Sequence, residues 1–363
     1  MANQYGNNLK LEIYGGSHDE KIGIKLTGFP RGMRADMEAL QAFLARRAPG
    51  QNELSTPRKE ADTPVFLSGL SDGVTDGNEL HAVIYNQNKR SSDYSFIYDT
   101  PRPGHADFAA LQKYGSDVDL RGGGHFSGRL TAPLCIAGGL ALQYLAARGI
   151  HVGAHVARIA DVQDIRFGAM ISIEKLIRLT TMPFPLLDES KEAEMRERIL
   201  TARAEGDSVG GVVECAVTGL PAGLGEHMFA GVEGRVAALA FSVPAVKGVE
   251  FGAGFDAATM RGSENNDPFC TDGTRIVTKT NHCGGILGGM TNGMPLVFRA
   301  AFKPTPSIAK EQDTVSLSRM ENTKLSIKGR HDPCVVLRAV PVIEAVAALA
   351  VLDLLLDRDT KEV

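Results

Sequence analysis

No two of the five cysteines (Cys135, Cys215, Cys270, Cys283 and Cys334) stand at CxxC spacing, and the odd, scattered set excludes a disulfide framework. Reduced, buried thiols and a cytoplasmic location are expected. The first residues, MANQYGNNLKLEIYGG, hold no apolar signal core, which argues against secretion. An excess of either charge is also missing, because 39 Lys and Arg face 43 Asp and Glu for a net charge of -4. That balance speaks against a general nucleic-acid binder, whose footprint is basic, yet allows a local basic pocket for a small anion. The most apolar late stretch, 342–356, is broken by Glu344 and Asp353 and falls short of the ~20 residues of a membrane span, so no membrane is expected. Neither G-x-G-x-x-G between a strand and a helix nor GxxxxGK[ST] occurs, which removes the Rossmann and P-loop readings.

Apolar residue types make up 43 % of the 363 residues, enough for a large core. Glycine, at 40 residues, is over-represented and falls in short runs between apolar segments, where it serves tight turns and close approach to a ligand. Asp36 reads as an N-cap for a helix carrying Met37, Leu40 and Leu44, stopped by Pro49 and Gly50. Further helices are expected at 131–148, 190–205, 226–240 and 341–357, the last with Pro341 in its first turn. Strand-like runs lie at 9–13, 22–26, 80–85, 212–217 and 296–302. The mixture lacks a regular β-then-α alternation, and no Pro/Ser-rich linker divides it. One α+β domain over 1–363 is the expectation.

Five segments join glycine to titratable side chains. YGGSHDE at 14–20 sets His18 in a turn directly after a strand, and RPGHAD at 102–107 sets His105 in a proline-glycine turn. Imidazole titrates near neutral pH, so both point to acid–base work, with a solvated loop histidine as the plainer reading of each. RGGGHFSGR at 121–129 runs into an apolar helix; its backbone N–H groups and arginines suit an anion, or make only a glycine-rich turn. NHCGGILGGMTNG at 281–293 and FKPTPS at 302–307 offer glycine pairs for a flat ligand and Lys303, Thr305 and Ser307 for its phosphate. Glycine pairs are equally common at bulges and packing sites. Asn281, His282 and Cys283 have no second ligand pair at zinc spacing, so no metal is expected. KGRHDPCV at 328–335 places Arg330, His331 and Asp332 before the last helix, as site residues or as a loop salt bridge.

In order and spacing these segments, with GSENND at 262–267, resemble the chorismate synthase family over nearly the whole chain. The resemblance implies a single-domain β-α-β sandwich, usually a homotetramer, acting on 5-enolpyruvylshikimate 3-phosphate with reduced FMN (FMNH2). The implied reaction is a 1,4-anti-elimination of phosphate giving chorismate, in which the flavin lends and recovers electron density without net redox change. His18 would protonate the departing phosphate, His105 would protonate or stabilise the reduced flavin, and Asp332 would relay the C6 proton through flavin N5. Arg47, Arg102, Arg129 and Arg330 would surround the substrate's carboxylates and phosphate, whose burial unpaired would be prohibitive. The matching flavin positions are His125, Phe126, Ser127, Pro244, Ala245, Gly288, Lys303, Pro304, Thr305, Pro306, Ser307 and Arg330. The resemblance leaves open whether NADPH is the reductant or an external flavin reductase supplies the flavin.

The chain departs from the family pattern in places. G-E-S-H-G reads Gly15-Gly16-Ser17-His18-Asp19, and R-R-R-P-G reads Arg46-Arg47-Ala48-Pro49-Gly50, with Glu53 near a further family arginine. Arg47 and Arg58 are the candidates to compensate for Ala48. RRAPG with GGGHFSGR matches a branch of the family, whereas Gly16 and Asp19 match no such branch. The rival that these departures raise is a flavin-binding homologue without catalysis, and the presence of His18, His105 and Asp332 speaks against it.

Overall fold

In the computed structural model, which describes residues 4–50, 54–55, 60–86, 96–271, 273–327 and 331–359, the apolar runs pair into two five-stranded antiparallel sheets. The first runs Gln4–Tyr5, Lys10–Tyr14, Lys21–Thr27, Leu80–Tyr85, Val65–Ser68 in spatial order. The second runs Val246–Phe251, Leu296–Phe302, Gly211–Thr218, His151–Ile159, Val162–Gln163. Eight helices accompany them among the described residues: α1 (Met37–Arg47), α2 (Asp107–Tyr114), α3 (Thr131–Ala146), α4 (Ile173–Thr181), α5 (Glu192–Ala204), α6 (Val232–Ser242), α7 (Gly262–Asn265) and α8 (Val336–Asp359). Helix α3 faces the first sheet, α8 lies on the central strands of the second, and the two helices pack on each other. The architecture is therefore an α+β sandwich, sheet over helices over sheet, and one apolar cluster runs through all three layers.

Helix α8 is apolar all round because it has protein on every side. The helix is longer than the 342–356 run: it has 24 residues, and Val336–Arg358 is long and apolar enough to cross a membrane. Within this fold, however, 89 % of its most apolar window is buried. Its two acidic residues are structural. Glu344 takes a two-pronged pair from Arg46 at 2.6 and 2.9 Å, and Asp353 accepts the backbone N–H groups of Asn7, Asn8 and Leu9 and pairs with Arg235. A methyl group on Gly138 of α3 would lie 2.2 Å from the Ala345 side chain, so glycine permits this close helix contact.

Asp36 caps α1 through Ala39 N–H, as expected from its position. Two helix starts differ from expectation. Helix α8 begins at Val336, so Pro341 sits inside it, where its missing N–H removes a helical bond; burial of the preceding apolar turn outweighs that loss. Helix α6 begins at Val232, after a short 3-10 turn, Met228–Ala230, whose Met228 has a left-handed φ of 56°.

Candidate active site

A cavity of about 690 Å³ opens where the RPGHAD turn, the triple-glycine loop, the turn after α6, the KPTPS segment and the start of α8 converge. Its volume lies within the usual range for small-molecule sites. Six cationic side chains line it (Arg47, Arg102, Arg129, Lys247, Lys303 and Arg338) against a single carboxylate, Asp332, among the described residues. Asp62, Glu60 and Asp107 pair with its arginines from behind, and the positive charge still in excess suits an anionic ligand.

The triple glycine brings the two turn histidines together. Gly122, Gly123 and Gly124 all have left-handed φ, which lets the loop fold tightly. A methyl group on Gly122 would fall 2.1 Å from the His18 ring, and one on Gly123 would stand 3.4 Å from His105 Nε2. His18 and His105 therefore flank one glycine pair. His105 lines the cavity, whereas His18 stands behind Gly122, with Ser17 Oγ 3.3 Å from its Nδ1. Ser17 Oγ donates to the Arg121 carbonyl at 3.0 Å, tying the two loops.

His105 Nδ1 lies 2.8 Å from Asp107 Oδ1, which leaves Nε2 toward the glycine loop. Asp107 also receives Arg102 through Nε and Nη2, both at 2.7 Å. Burial alone would raise the Asp107 pKa, but the hydrogen bonds from Arg102 and His105 hold it well below the ordinary carboxylate range. Arg102 Nη1 reaches Ser307 Oγ at 3.2 Å, so the RPGHAD turn and KPTPS segment are one unit. Arg47 and Arg129 are both held by Asp62, Arg47 at 2.9 Å, and Arg129 Nη2 lies 2.7 Å from Glu60 Oε2 off the hydrogen-bond line. Burial would raise the Asp62 pKa, yet the two guanidiniums lower it. Asp332 lines the cavity and pairs with Arg338, whose Nε donates to the Arg47 carbonyl at 3.0 Å. Next to it, burial and the charges of Arg102 and His105 lower the His331 pKa.

A family model described as chorismate synthase matches residues 9–356. The chain belongs to the chorismate synthase family. It is 44 % identical over 367 residues to the chorismate synthase of Lancefieldella parvula, covering 98 % of this chain and 96 % of the relative. It is 45 % identical over 357 residues to that of Thermococcus gammatolerans, covering 98 % of each. A solved chorismate synthase crystal structure superposes with a TM-score of 0.77 at 28 % identity, over 98 % of this chain and 93 % of that one.

Of the residues singled out by family resemblance, the cavity gathers His105, Asp332, Arg47, Arg102, Arg129, His125, Phe126, Ser127, Pro244, Ala245, Lys303, Thr305, Pro306 and Ser307. Pro304 lies within the same segment but does not line the wall. Arg330, Arg58 and Glu53 lie outside the described residues. Gly288 stands apart, in the turn between Ile286–Leu287 and Met290–Thr291, away from its own chain's cavity. The glycines around it pack closely on backbone, as Gly284 does on Gly252 and Gly289 on the Glu226 carbonyl. Asp267 of GSENND holds the NHC turn through the N–H groups of His282 and Cys283 at 2.7 and 3.0 Å. Sequence reasoning missed Asp62, Glu60, Asn86, Lys247 and Arg338. Lys247 carries a weak signal, being the extra residue of a β-bulge, directly after Ala245 with φ 76° and Val246.

The departures at Gly16 and Asp19 acquire a physical account. A methyl group on Gly16 would lie 3.3 Å from Asp19 Oδ2, so the Asp19 carboxylate occupies the space beside position 16. Ala48 is buried at the end of α1, and Arg47 reaches the cavity beside it.

Proposed function

We propose that this chorismate synthase family member, a lyase, carries out the 1,4-anti-elimination of phosphate from 5-enolpyruvylshikimate 3-phosphate to chorismate with reduced FMN. The observation that carries the reading is the cavity wall of six cations and one carboxylate, which matches two carboxylates and a phosphate on the substrate plus a phosphate on the flavin. Among the described residues, Thr305 Oγ1 and His331 Nε2 are buried without a hydrogen-bond partner, polar capacity that a bound ligand would use. The flavin would rest against His125, Phe126, Ser127, Pro244 and Ala245 with the Lys303–Ser307 segment at its phosphate, and when bound it supplies transient electron density to the reacting ring.

The chain's own residues orient the ester and move protons. Arg47, Arg102 and Arg129, each fixed from behind by Asp62 or Asp107, set the positive charge that orients the substrate anions. His18 delivers a proton to the leaving phosphate, and His105, its Nδ1 anchored on Asp107, keeps Nε2 for the second ligand in the cavity. Asp332, poised by Arg338, receives the proton lost from C6.

A cytoplasmic, single-domain homotetramer completes the proposal. Strongly exposed apolar side chains include Phe229 at 94 %, Met320 at 86 %, Phe255 at 84 %, Ile276 at 71 % and Phe269 at 64 % exposure, surface that an interface between copies would cover. Gly288 does not line the cavity of its own chain, so a neighbouring copy would have to bring it to a flavin. Anaerobic turnover with photoreduced FMN tests the function; no chorismate under those conditions overturns it. Aerobic turnover with NADPH alone then separates intrinsic flavin reduction from supply by an external flavin reductase.

A further inference from the structure

Asn86, the residue after strand Leu80–Tyr85, is buried, and both ends of its amide are used. Nδ2 donates to the carbonyls of Asp19 at 2.9 Å and Gly16 at 3.3 Å. Oδ1 accepts from Arg129 Nε at 3.0 Å. The orientation of the amide is fixed by chemistry: guanidinium only donates and carbonyls only accept, so the amide cannot be flipped. Its own N–H continues the strand ladder to the Glu20 carbonyl at 3.0 Å. One side chain thus grips both ends of the turn that bears His18 and, with its other end, orients the arginine that Asp62 and Glu60 hold from the far side.

We propose that Asn86 is a positioning residue that sets the proton donor His18 and the anion-binding Arg129 in register with each other. This rests on the roles given to those two residues above. No other neutral side chain of this length donates to two carbonyls while accepting from a guanidinium. The grip falls on main-chain oxygens of residues 16 and 19, so it is indifferent to which side chains stand there. That explains how the two positions can depart from the family pattern while the turn keeps its place. Misplacing a reacting group by about 1 Å costs on the order of 10²-fold in rate, which makes such a clamp consequential.

The Asn86→Asp variant separates the two ends, because it keeps the acceptor for Arg129 and removes both donors to the His18 turn. Steady-state kinetics with reduced FMN should show kcat falling by roughly 10²-fold with KM changed less than about threefold. Asn86→Ala should lower kcat and raise KM together. In a His18→Ala background, Asn86→Asp should lower kcat little further, since its effect passes through a group already gone. Flavin affinity, read by fluorescence, should stay at the wild-type value throughout. Wild-type kcat and KM in Asn86→Asp, with or without a lower melting temperature, would overturn the role of Asn86 alone, as would full additivity with His18→Ala. Absence of turnover in the wild type would overturn the function and this inference with it.

Discussion

Two ionic clusters in this chain use the same residue types to opposite ends. Inside the second sheet, His155 lies between Asp164 at 2.9 Å and Glu214 at 3.0 Å, and Glu214 continues to Arg299 at 2.8 Å and Arg299 to Glu250 at 2.6 Å. Backbone groups take up the remaining capacity, with Leu187 and Asp188 N–H on Asp164, Phe167 N–H on Glu214, and the Gly252 carbonyl on Arg299. That cluster is closed. The cavity wall is open, because its cations still outnumber the carboxylates that hold them and, among the described residues, they lie beside polar atoms without hydrogen-bond partners. Closed charge specifies the fold, whereas open charge is held ready for a ligand at some cost in stability.

Breaking the closed cluster should give the largest effect, and on stability alone. Glu214→Ala leaves an imidazolium and a guanidinium buried without their shared counter-charge, at a cost of about 3–5 kcal/mol in urea unfolding. Turnover per folded molecule should be unchanged; a loss of kcat without loss of stability would erase the distinction between the clusters. The cluster also sets a pH window. Burial alone would lower the His155 pKa, but its two carboxylate partners raise it; burial alone would raise Glu214 and Asp164, but His155 lowers them. The carboxylate contribution is thus lost as pH falls through values below those of ordinary carboxylates, and the His155 contribution as pH rises through a value above that of an ordinary imidazole. The stability curve of Glu214→Ala should be flatter across that range than the wild type's.

The two turn histidines, His18 and His105, should show the reverse pattern. His18→Ala and His105→Ala should each slow turnover by roughly 10²-fold or more while flavin binding and urea midpoint stay close to wild type. Full rate in both variants would show that neither imidazole moves a proton in the reaction.

Lys303 tests open charge directly. Burial and the neighbouring Lys247 lower its pKa, and among the described residues its Nζ donates only to the Gly104 carbonyl, at 2.5 Å. Lys303→Ala should weaken flavin binding roughly tenfold, the worth of one charge-assisted hydrogen bond. Riboflavin, which lacks the phosphate, should bind both proteins alike. The melting temperature should hold or rise, because a like-charge neighbour has been removed; a clear fall would place Lys303 with the closed cluster.

Much of this arrangement was legible in the sequence because it is local. The Asp36 cap, the run that becomes α3 and the strands at 80–85 and 296–302 depend on neighbours a few residues away. The glycine-flanked histidines were legible for the same reason. What stayed hidden depends on groups far apart in sequence. Nothing near Asp62 announces that it meets Arg129, nor does Asn86, at the end of an ordinary strand, reveal that it bridges residue 16 and residue 129. Helix α8 was read too short, because Pro341 looks like a start when the buried contacts that carry the helix past it are not visible.

The smallest predicted effect concerns the exchanged positions in the His18 turn. Gly16 has no left-handed φ, so a side chain there meets no backbone strain, and the atoms nearest its Cβ would be those of the Asp19 carboxylate, from 3.3 Å. Asp19 is exposed and can rotate away, which keeps the penalty modest. Gly16→Glu should therefore lower kcat/KM only about threefold, through a like-charge contact that displaces the turn slightly against the Asn86 grip. Asp19→Gly on the same background removes both the clash and the charge, and should restore the rate. The coupling between the two changes should be at least about 0.5 kcal/mol, the level at which neighbouring residues depart from additivity. Strict additivity would mean that the two positions changed independently, and that the space beside Gly16 has no bearing on how the histidine is held.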